Sequence, residues 1–217
     1  MSRSAIALLS GGLDSGVAAA LWLERGGSLL ACLCFDYGQR AARREARAAE
    51  ALARRFGAEF AMVSLPWLAG FAREAGCSLV DRERRLPSGT ARRPGDASSA
   101  ASVWVPARNV VLIAAAASMA EARGAGSVVA GFNREEAETF PDNSEAFVAD
   151  CTRLLRRGTR TGVLVESPTL RLDKRSIVAE AQRMGLGPGD FWSCYEGGEE
   201  PCGLCESCAR SRRAWGL

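Results

Sequence analysis

Apolar runs and amphipathic stretches alternate along the chain. Ser4–Leu9 reads as a short apolar strand, and Leu13–Arg25 as the helix that follows it. Ser28–Phe35 is a second strand. Ala41–Phe56, rich in Ala, Arg and Glu, carries apolar residues at helical spacing. Glu59–Leu65 is a third strand. Further along, Asn109–Arg123 predicts a helix, Ser127–Gly131 a strand, Asp142–Arg157 a helix and Val163–Ser167 a strand. Asp173–Met184 predicts a final helix with Asp173 as its N-cap. Residues 82–102 are rich in Arg, Pro, Gly and Ser without periodicity, which predicts a long mobile loop. Strands alternating with helices predict an α/β fold with a doubly wound, mostly parallel sheet. From about Phe191 the texture shifts to Cys, Gly and Glu. The expected division is an α/β domain over 1–190 and a small module over 191–217.

Composition narrows this picture. At 47% hydrophobic and 24% charged, the 217 residues can bury a core. A net charge of +3 is too mild to argue for a nucleic-acid partner, and stable nucleic-acid binding is not expected. Arg43, Arg44, Arg47, Arg54 and Arg55 sit among Glu and Ala, as on a solvated helix face. Arg3 and the apolar run after it imitate a secretory signal, but Gly11, Gly12 and Asp14 break the run. The run Val110–Ala117 is too short to span a bilayer. The expected compartment is therefore the cytoplasm, where the eight Cys are thiols or metal ligands. His is absent, which excludes imidazole catalysis and imidazole metal ligands. Lys174 is the single lysine, and Tyr, Asn and Gln are rare. A rare residue in such an Arg-rich, Ala-rich chain suggests a chemical reason for its presence.

The rare residues fall where parallel sheets bind ligands, beyond the carboxyl ends of strands. Tyr37 and Gln39 follow the second strand, Asn133 the fourth, and Lys174 the fifth. After the first strand comes Ser10-Gly11-Gly12-Leu13-Asp14-Ser15. Two glycines allow a sharp turn and close approach to a ligand, and the helix start favours an anion. Asp14 is unwelcome beside phosphate unless a metal or a reacting centre compensates it. The loop has neither the GK[ST] of the common phosphate loop nor GxGxxG. At the other end, Cys194, Cys202, Cys205 and Cys208 lie within fifteen residues. With no His, they suggest a closed four-thiolate structural zinc site. A redox CxxC pair is the competing reading. Cys32, Cys34, Cys77 and Cys151 lack ligand spacing and read as small buried hydrophobes.

The first loop resembles the SGGxDS motif of the PP-loop ATP pyrophosphatases, which implies a Rossmann-like sheet of the adenine nucleotide alpha hydrolase type. Phe35-Asp36-Tyr37-Gly38-Gln39-Arg40, Val105-Pro106-Ala107-Arg108-Asn109, Ser193-Cys194-Tyr195 and Cys202-Gly203 through Cys208 to Arg210 narrow the resemblance. Together they are similar to the 7-cyano-7-deazaguanine synthase (QueC) family. That resemblance implies adenylation of 7-carboxy-7-deazaguanine by ATP with Mg²⁺. Ammonia then gives the amide, and a second ATP gives the nitrile. It implies ATP on Ser10, Gly11, Gly12, Leu13, Asp14 and Ser15, bordered by Asp36, Tyr37 and Gln39, for which a plain strand-end turn is the alternative. Lys174 and Arg108 are the expected cations for developing phosphate charge, and Asp14 joins them as a candidate catalytic residue. Asn109, Gly131, Asn133, Glu136, Phe140 and Asp142 are expected to form the base pocket; helix capping by Asn109, Asp142 or Asn143 is the alternative.

The chain also departs from the familiar family pattern. Glu136-Ala137-Glu138-Thr139-Phe140-Pro141-Asp142-Asn143 replaces an Asp-Tyr-Ser-Gly-Tyr-Pro-Asp-Cys run, and Ala41 stands where many members carry His. This leaves open a related enzyme that passes the activated carboxylate to another amine, such as the amino terminus of a protein. A PP-loop tRNA thiolase is a more distant alternative. The resemblance further implies a homodimer, and the basic stretch at Arg92-Arg93 could serve an interface or a lid.

Overall fold

The computed structural model describes residues 3–88 and 97–217. Five strands form one parallel sheet: β1 (Arg3–Leu8), β2 (Gly27–Asp36), β3 (Glu59–Ser64), β4 (Ser127–Val129) and β5 (Leu164–Glu166). Their order is β3-β2-β1-β4-β5. The chain winds outward from β1 in both directions. The sheet therefore has a switch point between β1 and β4, where a crevice opens beyond the carboxyl ends.

Period-two alternation sorts the strand residues onto two buried faces. Ile6, Leu33, Phe35, Val128 and Val165 face one core with Ile113, Ala116, Ala117 and Ala120 of α5 (Arg108–Arg123). Val148, Cys151 and Leu155 of α7 (Glu145–Gly158) complete that layer. Ala5, Ala7, Cys32, Cys34 and Val129 face the second core. It is closed by α1 (Leu13–Glu24), α2 (Ala42–Arg55) and α8 (Lys174–Arg183). Both faces are covered, so the inner strands read as continuous apolar runs. Cys32, Cys34, Cys77 and Cys151 are all buried within these layers. Burial pushes the Cys32 and Cys34 thiols up to about 12.

The helix starts follow capping chemistry. Asp173 accepts from the Ser176 N–H at 2.9 Å, as the sequence predicts. The predicted helix over Asp142–Arg157 begins later. Pro141–Asn143 forms a 3₁₀ turn, and Ser144 caps α7 by accepting from the Phe147 N–H at 3.2 Å. Three short helices escape the periodicity argument: α3 (Pro66–Glu74), α4 (Ala97–Ser102) and α6 (Arg134–Ala137). α3 starts at Pro66 and buries only Leu68 and Ala72, too brief a stripe to read. α4 occupies part of the predicted 82–102 loop; its residues 89–96, with Arg92 and Arg93, lie outside the described residues. The ten-residue helix α9 (Glu206–Trp215) lies inside the cysteine-rich module. No helix among the described residues is long and apolar enough to cross a membrane.

Candidate functional site

A cleft of about 330 Å³ opens beyond β1 and β4, within the size range of small-ligand sites. One wall is the turn from β1 into α1. The Ser10 and Ser15 hydroxyls lie 3.1 Å apart, and Ser15 Oγ donates to the Gly12 carbonyl at 3.1 Å. Gly11 has φ +74°, and a Cβ there would stand 2.5 Å from the Glu45 carbonyl oxygen. The turn can therefore press against α2 only with glycine at this position. Gly131 serves the opposite contact. A Cβ on it would come within 2.4 Å of the Ser15 nitrogen, so its bare backbone lets the β4 exit pack on the start of α1.

Lys174, at the first position of α8, reaches across this turn. Its Nζ pairs with Asp14 Oδ2 and lies 3.0 Å from Glu136 Oε1. Burial opposes the ammonium charge, but Asp14 and Glu136 outweigh it and hold Lys174 above its ordinary range. Lys174 draws the Glu136 carboxyl below its usual value against the effect of burial. For Asp14 burial wins and pushes the carboxyl up. Its Oδ1 is buried without a partner. An unpaired carboxylate oxygen beside a glycine turn suits a site that receives a metal–phosphate complex.

The second wall holds Arg108. Ala107, immediately before it, has φ +52°, the single non-glycine in the left-handed region among the described residues. That strained residue starts α5 and turns Arg108 into the cleft. Arg108 Nη1 donates to the Tyr37 hydroxyl at 3.3 Å, and its guanidinium lies 5.9 Å from the Tyr37 ring centre. Asn109 is buried and donates to the Asp142 carbonyl at 3.3 Å. Burial pushes the Asp142 carboxyl up, opposed by Arg108. Phe140 stacks on Trp104, with ring centres 6.2 Å apart and planes 10° from parallel.

Several expected residues are placed differently. Asp36 is not among the cleft-lining residues; its carboxylate accepts from the Gly38 N–H at 2.8 Å and shapes the strand-end turn. Gln39 reaches the cleft, but its amide is committed. It donates to the Phe35 carbonyl at 2.8 Å and accepts from the Tyr37 N–H at 2.9 Å. Asn133 is fully buried outside the lining, where it caps α6 by accepting from the Glu136 N–H at 2.9 Å. Its Nδ2 has no partner. Gly11 faces α2, whereas Ser10, Gly12, Leu13, Asp14, Ser15, Tyr37, Arg108, Asn109, Gly131, Glu136, Phe140, Asp142 and Lys174 all line the cleft.

Residues that the sequence did not single out also line it. The Glu45 carboxylate accepts from Gln39 Nε2 at 2.8 Å, and burial pushes its pKa up. Trp104 joins it, and Arg210, which ends the last motif quoted from the sequence, lines the cleft as well. The expected small module over 191–217 supplies part of the wall: Phe191, Trp192, Tyr195, Ser207, Arg210 and Trp215. Burial pushes the Tyr195 phenol up to about 12.

Behind that wall, the sulfurs of Cys194, Cys202, Cys205 and Cys208 lie within 4.8 Å of one another. Cys202 Sγ and Cys208 Sγ are 3.9 Å apart. A tetrahedral ion with metal–sulfur bonds of about 2.3 Å requires sulfur pairs about 3.8 Å apart, so the donor set fits a metal ion. Backbone N–H groups of Cys202 and Cys205 already point at sulfurs, at 3.3 and 3.4 Å.

A parallel sheet in this order, with a glycine turn and a facing lysine at its switch point, defines a doubly wound α/β protein whose ligand crevice lies at that point. A solved 4-thiouridine synthetase, described as an RNA complex with bound ATP, shares the fold: TM-score 0.50, 23% identity, 84% of this chain and 41% of that one covered. The model of the family described as "Queuosine biosynthesis protein QueC" matches residues 4–217, and the chain belongs to that family. The 7-cyano-7-deazaguanine synthase of Desulforudis audaxviator is 46% identical over 213 residues, covering 96% of this chain and 94% of the relative. That of Methanothermobacter thermautotrophicus is 42% identical over 220 residues, covering 98% and 94%.

Proposed function

We propose that this chain is an ATP-dependent carbon–nitrogen ligase that converts 7-carboxy-7-deazaguanine and ammonia, through the amide, to 7-cyano-7-deazaguanine. The observation that carries this reading is the meeting of Lys174 with Asp14 and Glu136 over the Ser10–Ser15 turn, in one cleft with Arg108 and the Trp104–Phe140 pair. The full-length similarity to enzymes of that name supports it.

In this reading Ser10, Gly12, Leu13 and Ser15 receive the phosphates of Mg-ATP. The free Oδ1 of Asp14 is the protein oxygen available to the Mg²⁺ that accompanies them. Lys174 and Arg108 offset negative charge that develops at the α-phosphorus as the substrate carboxylate attacks it. Their contribution is positioning and charge stabilisation, with no covalent bond to the protein. Tyr37 orients Arg108, while Asp36 and Gln39 act on the nucleotide only through the turn they hold. Phe140 and Trp104 offer flat apolar surface to the deazaguanine ring. Asn109 fixes the Asp142 segment, whose carboxylate can accept from the ring's amino and N1–H groups. Gly131 keeps the pocket floor narrow, and Asn133 holds the segment carrying Glu136. Cys194, Cys202, Cys205 and Cys208 would hold a structural Zn²⁺, supplying all of its ligands from protein. The working unit is taken to be a homodimer, as the family resemblance implies, and sedimentation tests it.

The reaction is tested by mass spectrometry of products from 7-carboxy-7-deazaguanine, Mg-ATP and ammonium. Nitrile with two AMP released per product is expected. AMP with amide alone, or with no nitrogen transfer, would move the function to transfer onto a different amine.

A further inference from the structure

Glu136 Oε1 is shared by two cations. Lys174 Nζ stands 3.0 Å away and Arg210 Nη1 3.5 Å away. Arg210 in turn gives Nη2 to Glu206 Oε1 at 2.9 Å, which fixes the guanidinium on α9. The helix is anchored at its start. Cys205 is its N-cap, Cys208 lies in its first turns, and the Glu206 N–H donates to the Pro87 carbonyl at 2.9 Å. The Arg210 side chain is only 23% exposed, so these pairs are weakly screened.

The arrangement bears on Lys174. Two carboxylates compete with an incoming phosphate for one ammonium. Among the described residues Asp14 is ion-paired with Lys174 alone, whereas Glu136 is also paired with Arg210. Charge given by Arg210 to Glu136 weakens the hold of Glu136 on Lys174 and leaves the ammonium more available to an anion. We propose that Arg210 is a positioning residue: from the cysteine-rich module it balances Glu136 and thereby sets the availability of Lys174 to the phosphates of ATP. The module then contributes a working part of the nucleotide site. This inference rests on the reading of the cleft as an ATP site.

A double-mutant cycle on the metal-loaded protein tests it, with the dissociation constant of Mg-ATP as readout. Arg210→Met is expected to weaken ATP about tenfold while metal content and the circular dichroism spectrum stay unchanged. Arg210→Lys keeps the charge and recovers part of the loss, which keeps the test usable if the Met variant folds poorly. In a Glu136→Gln background the charge to be balanced is gone, so Arg210→Met should then change ATP affinity less than twofold, against the tenfold effect above. An equal loss in both backgrounds overturns the proposal, because Arg210 would then act independently of Glu136. Unchanged ATP affinity in Arg210→Met also overturns it. Wild-type protein that binds Mg-ATP but releases no AMP with the deazaguanine carboxylate sinks the function reading and leaves this inference standing. Wild-type protein that binds no Mg-ATP overturns both.

Discussion

The backbone N–H of Trp192 donates to the carbonyl of Gly11 at 2.9 Å, tying the cysteine-rich module to the turn that leaves β1. The two ends of the chain thus meet on one glycine. Gly11→Ala should disturb both. The new Cβ would stand 2.5 Å from the Glu45 carbonyl and 2.8 Å from the Ala48 Cβ, at φ +74°. The left-handed conformation alone costs about 1–2 kcal/mol with a side chain. For a chain of this size each kcal/mol lowers Tm by about 2–4 °C. A thermal melt should show a drop larger than conformation alone explains, with ATP binding lost alongside. A variant with wild-type Tm would contradict the packing argument.

Lys174→Met removes the ammonium that pairs with both Asp14 and Glu136. Glu136 keeps its pair with Arg210, but the half-buried Asp14 loses its ion pair. AMP formation should fall about 10²–10³-fold, as when a charge-stabilising donor is removed from a catalytic site. The fold, built on the two apolar layers, should persist by circular dichroism. Near-normal AMP release would remove Lys174 from the site.

Cys205→Ser replaces both a candidate metal ligand and the N-cap of α9. Bound zinc per chain should fall in elemental analysis. Because α9 lines the cleft, ATP affinity should fall with it. Unchanged metal content would refute the four-thiolate site.

Glu45 supplies a pH test. Its ordinary value is 4.5, and burial raises it in the folded protein. The folded state therefore holds this proton more tightly than the unfolded chain. Its stabilising contribution is complete below 4.5 and is lost as pH rises through the higher folded value. Glu45→Gln has no such titration and can still accept from Gln39. Denaturant melts should show the variant gaining on wild type as pH climbs from acid toward neutral, then levelling. An advantage that stays flat across that range would exclude the burial effect.

The strands were legible because their neighbours enforce simple rules. A strand buried on both faces must be apolar throughout, as in Ala5–Leu8 and Ala31–Phe35. A helix on such a sheet must show one apolar stripe, as in α2. The short helices were not legible, because α3 and α6 bury too few residues to show a period. The loop reading of 82–102 missed α4, a six-residue run of Ala and Ser without an apolar stripe.

The sequence by itself determined the glycine turn after β1, the lone lysine that begins the last predicted helix after its Asp173 cap, and the four cysteines near the end. Each depends on local backbone freedom, residue chemistry or short spacing, all of which are written in consecutive residues. Tertiary structure alone decided who shares the cleft. Lys174 and Asp14 are 160 positions apart, and Arg210 and Glu136 are 74 apart. It also decided that Gln39 and Asn133 hold the backbone, and that Glu45 and Trp104 face the cavity. Such pairings arise when the sheet assembles and the C-terminal module packs against the turn beyond β1. Contacts between distant segments are set by packing and buried charge balance, which no local pattern carries.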